Sequence, residues 1–456
     1  MLRHEIIGIA CLSAILALVF LLGEFLRRHL KVSPEVSRKT VHIGGCIVAL
    51  LFPALLDSHW SVLLMAAAAT AMIVIGKRRR MLPSLDDVQR ETRGSIYHPI
   101  AIYVCFLTAQ LLHRMVYFEI AMLVLGLSDS MAALTGVAYG RKKYLVEATD
   151  SKSVEGSVAF FVITFIIVEI SLLLFTPIGR LDCILVALLI AVFVTMFEAI
   201  SMHGADNLAV PLGTVFILAK NIDPATLLVL RQFVVLAFAL IYVIAIAYPF
   251  KKISSTGVIS MALGIYTAGG LVNYRWMLPM MVATFAFCRT QWFVPEGTQP
   301  NRARPAFYLL VVPIFWILGA NILGKFLSPN EASFILFPSF ITSVISQMLI
   351  SRHNRSVRRH HPYGFPQLLR DTVLFNLPIL LGVAVLHGAD MRQPLVWCCL
   401  IGVAFEVAAV LFYDFILQRK VSQESCNLLR LRMLLVLAAS IIPAAAMFFW
   451  RMEWTD

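Results

Sequence analysis

The chain has 456 residues, of which 60% are hydrophobic and only 14% charged, and its formal net charge is +12 at pH 7. Soluble domains carry roughly 25% charged residues, so this composition excludes a soluble enzyme and points to a membrane-embedded chain. Period-two alternation is missing and the apolar runs are long, which excludes a β-barrel.

A helix needs about 20 mostly apolar residues to cross a bilayer. Such runs follow one another near 6–26, 40–56, 59–76, 97–112, 116–136, 157–177, 181–200, 207–219, 225–250, 256–271, 274–288, 306–326, 331–350, 371–388, 393–417 and 431–450. The expected fold is therefore all-α, a polytopic integral membrane protein with about sixteen transmembrane helices. The first run is long and is followed by Arg27-Arg28, so it reads as an anchor rather than a cleaved signal.

Most of the 38 Lys and Arg residues fall on one side if the first helix runs from outside to inside. Cytosolic loops collect basic residues, so the N-terminus is expected outside. The positive charge then reads as an orientation signal and an attraction to anionic phospholipids; no nucleic-acid partner is expected. Short loops and the absence of a targeting segment favour a bacterial inner membrane. The eight cysteines are scattered, mostly within apolar runs, and lack metal-ligand spacing, which suggests core packing.

Four polar segments fall on the cytosolic face of this topology. The first contains Arg38, Lys39, His42 and Gly45. The second runs through Arg93-Gly94-Ser95 and Tyr97-His98-Pro99. The third begins at Ser128-Asp129, passes Gly136 and Gly140, and closes with Lys152-Ser153-Val154-Glu155-Gly156-Ser157. The fourth contains Glu198, His203, Asp206, Asn207 and Pro211. Because topology and motifs are read from different residues, their coincidence on one face argues for one shared site. A carboxylate facing the bilayer centre is costly, so Asp129 and Asp206 are hard to explain without a function. Blander explanations exist for the rest: Arg38-Lys39 as topology charge, Gly136-x-x-x-Gly140 as small-residue helix packing, Lys152–Ser157 as a helix cap, and Arg93–Pro99 as a turn into the next helix.

These motifs resemble the CTP-dependent lipid kinases, the group of phytol kinase, dolichol kinase and the CTP-using diacylglycerol kinase, over roughly residues 30–220. One departure is Ser128, where the family usually has glycine before the aspartate. The resemblance implies CTP as phosphate donor, Mg²⁺ as cofactor and a membrane lipid alcohol as acceptor. Phosphoryl transfer is mostly positioning and charge neutralisation. On that footing Asp129, Asp206 and Asn207 are the expected metal ligands, since magnesium is usually held by one or two carboxylates. Arg38, Lys39 and Lys152 are expected at phosphates. Gly136 and Gly140 would let the backbone approach them, and Ser153, Gly156 and Ser157 would offer a helix N-terminus to an anion. His42, Glu155, Asp206 and Asp129 are all candidates to take the proton from the lipid hydroxyl. Glu198 and Arg93 complete the expected site.

The expected domains are 1–220, phytol/dolichol-kinase-like, and 221–456, a second polytopic unit without the acid-plus-lysine pattern. Its polar loops Thr290–Pro305 and Ser351–Arg370 are basic, and the cluster Arg352, His353, Arg355, Arg358, Arg359, His360 and His361 suits phospholipid headgroups or a phosphorylated product, with ordinary topology charge as the blander explanation. The expected activity is transfer of the terminal phosphate of CTP to an isoprenoid alcohol or diacylglycerol. A transporter or flippase for a phosphorylated lipid or another anion is the alternative. Oligomerisation of the chain with itself is left open.

Overall fold

The computed structural model describes residues 2–79, 94–146, 151–221, 226–248, 253–292, 303–358, 364–386, 389–419 and 426–454. Arg93, most of Thr290–Pro305 and residues 359–363 of the basic stretch lie outside the described residues. The chain divides into two compact units, Met1–Leu230 and Arg231–Asp456.

The first unit contains α1 (Leu2–Arg28), α2 (Pro34–Leu50), α3 (Phe52–Leu55), α4 (His59–Arg78), α5 (Gly94–Leu111), α6 (Met115–Leu123), α7 (Asp129–Tyr139), α8 (Val154–Phe175), α9 (Arg180–Ile200) and α10 (Asp206–Asn221). A further helix, α11 (Thr226–Ala247), crosses the boundary between the units. Local chemistry explains the helix starts. Ser33 caps α2 by accepting from Val36 N, with Pro34 in the first turn. Glu5 of α1 accepts from Asp57 N (2.7 Å), Ser58 N (2.9 Å) and the Ser61 hydroxyl, which ties the start of α4 to α1. Gly44 allows α2 to lie against α1, since a Cβ there would sit 2.4 Å from Val19 Cγ1.

Two elements depart from the sequence reading. A π turn, Val124–Ser128, joins α6 to α7 in one continuous helix. The basic loop carries a small antiparallel hairpin, β1 (Lys143–Leu145) paired with β2 (Ser151–Ser153). Such short pairings leave too little apolar periodicity to be read from sequence.

The second unit contains α12 (Ser255–Leu271), α13 (Met277–Trp292), α14 (Ala303–Leu323), α15 (Pro329–Arg358), α16 (Phe365–Leu386), α17 (Ala389–Arg419) and α18 (Cys426–Trp454). Helix α15 is its centre; 94% of its most apolar window is buried.

Every expected apolar run falls on a helix, but the count of about sixteen membrane spans is not confirmed. Among the described residues, ten helices are long and apolar enough to cross a membrane. Length accounts for part of the difference: α10, α12 and α13 have 16, 17 and 16 residues. At about 1.5 Å rise per residue these fall short of a hydrocarbon core about 30 Å thick. The protein is an all-α integral membrane protein.

Candidate active site

The first unit brings the sequence motifs together in two lysine–carboxylate clusters. In the first, Lys39 on α2 reaches Asp129 at the start of α7. Its Nζ lies 2.5 Å from Asp129 Oδ2 and donates to the Asp129 carbonyl at 3.2 Å. Lys39 is only 4% exposed, so this is a desolvated pair, in which each charge depends on the other. One helical turn on, His42 Nε2 lies 3.3 Å from Asp129 Oδ2 and 3.1 Å from the carbonyl of Leu125 in the π turn. π turns recur at functional sites; this one presents both a backbone oxygen and the carboxylate to His42. The His98 ring on α5 stacks obliquely on His42, with centroids 4.6 Å apart.

In the second cluster Lys152, at the end of the hairpin, meets Glu198 of α9 and Asp206 of α10. Its Nζ lies 2.7 Å from Glu198 Oε1 and 3.3 Å from Asp206 Oδ2, and it also donates to the Glu198 carbonyl. Burial alone would lower the lysine pKa, but Glu198 and Asp206 outweigh it and hold Lys152 above the usual lysine range. Ser157 donates to Glu198 Oε2 at 3.2 Å and lies 2.7 Å from the Tyr144 hydroxyl. Burial, then the Glu198 charge, push the Tyr144 phenol up to about 12. The bend between α9 and α10 uses His203 (φ 54°) and Gly204 (φ 81°) in the left-handed region, which glycine adopts freely and histidine rarely. That bend places Glu198 and Asp206 on the same lysine.

Arg38 links the two clusters. It pairs with Glu35 at 2.6 Å and lies within electrostatic reach of both Asp129 and Asp206. With His42, His98, Ser95 and Asn207, it forms the polar end of a cavity of about 100 Å³. The remaining wall is mainly apolar, from Phe20, Val41, Val48, Phe52, Met65 and Ile73 among others.

Several expected site residues serve other contacts. Gly136, Gly140 and Gly156 let α7 and α8 touch. A Cβ at Gly156 would sit 2.9 Å from the Ala132 carbonyl and 3.4 Å from Gly136 Cα, and one at Gly140 would sit 2.9 Å from Ser153 Cβ. These glycines therefore serve the close packing of α7 on α8. Ser153 accepts from Gly156 N at 3.1 Å, so it caps α8 itself. Glu155 accepts from Lys142 N and secures the hairpin, with no contact to either cluster. Ser128 is fully buried and right-handed helical (φ −66°, ψ −45°), so this position does not require glycine.

Sequence reasoning missed Tyr144 and Cys46 as neighbours of the site and gave His98 no defined role. Tyr144 and Cys46 carry no local motif, and helix and hairpin packing brings them in; His98, from the second polar segment, lines the cavity.

The Cytidylyltransferase family profile matches residues 6–201. Phytol kinase of Synechocystis sp. (strain ATCC 27184 / PCC 6803 / Kazusa) is 32% identical over 212 residues, which cover 46% of this chain and 90% of that protein. The chain belongs to the CTP-dependent lipid kinase family. Within this family match lie the Lys39–Asp129 pair, His42, His98, Lys152 and Glu198; Asp206 lies just beyond residue 201. No solved structure matches the chain significantly.

Proposed function

We propose that the first unit transfers the terminal phosphate of CTP to the hydroxyl of a membrane lipid alcohol at the cytosolic face. An isoprenoid alcohol (phytol, a polyprenol or dolichol) is the favoured acceptor, with diacylglycerol as the further candidate. The observation that carries this reading is the apolar cavity whose polar end holds Arg38 and His42, one residue contact away from Asp129. A lipid tail suits its wall, and a hydroxyl head suits its polar end.

The residues support a division of labour. His42 Nε2 faces two acceptors, the Leu125 carbonyl and the Asp129 carboxylate. It must therefore carry the ring proton, which leaves Nδ1 as the basic nitrogen to accept the proton of the lipid hydroxyl. Lys39, Lys152 and Arg38 supply positive charge for the triphosphate, and their present carboxylate partners hold them in place until it arrives. Asp129, Asp206 and the Asn207 amide offer the hard oxygen donors that Mg²⁺ takes. Bound there, Mg²⁺ would neutralise charge on the transferring phosphoryl group. The choice of CTP and of an isoprenoid rests on the family and the phytol kinase relative.

The test is transfer of label from γ-labelled CTP and, separately, ATP to phytol, farnesol, a polyprenol and diacylglycerol, with Asp129→Asn alongside. A labelled lipid phosphate made by the wild type and lost in the variant supports the reading. No product from folded protein with either donor overturns it.

A second reading, a transporter or flippase for a phosphorylated lipid or another anion, is favoured by one observation. The second unit buries ionisable groups among its helices: Arg432 on Gln347 (2.6 Å), Asp371 beneath the half-buried Arg352 (2.5 Å), and Glu406 on Asn376 (2.8 Å). Buried charges in membrane helices commonly mark a pathway. Nucleotide-independent movement of a phosphorylated lipid across proteoliposomes would separate this reading from the kinase.

A further inference from the structure

His98 poses a problem that the kinase reading does not solve. Both of its ring nitrogens are buried, and neither has a hydrogen-bond partner among the described residues. A neutral imidazole has one donor and one acceptor nitrogen, and buried polar groups of this kind are normally satisfied. Packing has nevertheless made room for the ring: a Cβ at Gly45 would sit 3.1 Å from His98 Nε2.

The groups nearest His98 are metal donors. His42 and Cys46 are four residues apart on α2 and so share one helical face. One ligand atom from each of His42, Cys46 and His98 lies within 4.8 Å of the other two. In tetrahedral zinc sites, Zn–N is about 2.0–2.1 Å and Zn–S about 2.3 Å, which puts ligand atoms about 3.3–3.8 Å apart. About an ångström of closure by side-chain rotation would suffice. Asp129 Oδ2, 3.3 Å from His42 Nε2, is placed as an outer partner of that ring.

We propose that His42, Cys46 and His98 form a binding site for a borderline-soft transition-metal ion of the zinc class, and that occupancy blocks the acceptor end of the cavity. Two imidazoles and a thiolate select such an ion over Mg²⁺, which takes hard oxygen donors. On binding, the Cys46 thiol gives its proton to solvent and the sulfur bonds the metal. The scattered cysteines hide this site from sequence spacing because its ligands come from two helices. His42 and His98 both line the cavity, so a metal that draws them together closes the end where a lipid hydroxyl would sit. The blocking clause rests on the proposed kinase function; the metal site does not.

The test uses the full-length protein in detergent after treatment with chelator. Titration with Co²⁺ is expected to give one equivalent bound, with a thiolate-to-cobalt charge-transfer band and tetrahedral visible bands. Zn²⁺ should displace the Co²⁺ and raise the thermal midpoint, whereas millimolar Mg²⁺ should leave the Co²⁺ bands in place. Cys46→Ser should lose the charge-transfer band, and both Cys46→Ser and His98→Ala should weaken binding about tenfold or more. Inhibition of phosphate transfer by Zn²⁺, expressed against each variant's own uninhibited rate, should be relieved in both. A wild type without the band or a stoichiometric ion overturns the site, as does a Cys46→Ser protein that binds like wild type; because the wild-type titration needs no substitution, a misfolded variant cannot mask either result. A protein that binds the metal but transfers no phosphate in its chelator-treated, metal-free form, with Mg²⁺ supplied, would overturn the kinase reading and the blocking clause while leaving the site standing.

Discussion

Lys39 and Asp129 stand ninety residues apart in sequence, yet their side chains meet at 2.5 Å in a nearly dry environment. Each single substitution strands a charge. Removing one partner of a buried pair costs about 3–5 kcal/mol, whereas replacing both by apolar groups of similar shape is often neutral. Asp129→Asn and Lys39→Met are each expected to lower the thermal midpoint in detergent, and the double variant to recover most of the loss. Phosphate transfer should fall about 100-fold or more in all three. Stability that recovers together with activity would refute a catalytic role for the pair.

The cavity makes a separate prediction. Ala69 lies in its wall, away from both lysine–carboxylate clusters. Ala69→Phe fills apolar volume, so the KM for a long lipid alcohol should rise about tenfold or more, while the KM for CTP stays within twofold to threefold. An equal rise in both would place the acceptor elsewhere.

Tyr144 gives the pH dependence. Its folded pKa is raised to about 12 from the model-compound value of 10.0, so the folded state holds this proton more tightly than the unfolded chain does. The associated stability is complete below about pH 10 and is lost as pH rises toward 12. Thermal midpoints measured between pH 8.5 and 11.5 should fall less steeply for Tyr144→Phe than for wild type. Parallel curves would show that Tyr144 titrates normally. Lys152, held above the lysine range by Glu198 and Asp206, keeps its proton in the folded state while the unfolded chain releases it around the ordinary value of 10.5, so it adds the same fall to both curves and cancels from the comparison.

Gly156 and Ser128 differ in kind. A side chain at Gly156 meets backbone at 2.9 Å, so Gly156→Val should cost about 1–3 kcal/mol through overpacking. Ser128 is already helical, so Ser128→Gly should cost about 1 kcal/mol at most and leave kcat within twofold to threefold. A large gain in kcat from Ser128→Gly would mean that the glycine usual in the family supplies something this helix lacks.

What was legible in the sequence followed from local pattern. The helices were readable because twenty apolar residues in a row have few other uses, and Asp129, Lys152 and Asp206 stood out because charge is costly in such a chain. The pairings were not readable: nothing in Arg38-Lys39 says that the lysine, and not the arginine, turns toward Asp129. Glycines four apart serve a ligand or a neighbouring helix equally well, and only the structure shows Gly140 packed against Ser153 and Gly136 against Gly156. Burial of His98 against His42 depends on how α5 crosses α2, which no window of residues encodes.

The π turn before Asp129 sets phase rather than distance. An α-helix advances about 100° per residue, and a π turn accommodates one residue more than an α turn does. Helices α6 and α7 thus share an axis while their faces are out of step, and the carboxylate reaches Lys39 and His42 because of that offset. Deleting a single residue from Val124–Ser128 would leave span length and hydropathy almost unchanged, yet swing Asp129 by about a quarter turn. In this membrane helix, chemistry is more sensitive to the number of residues in one turn than to most of their identities.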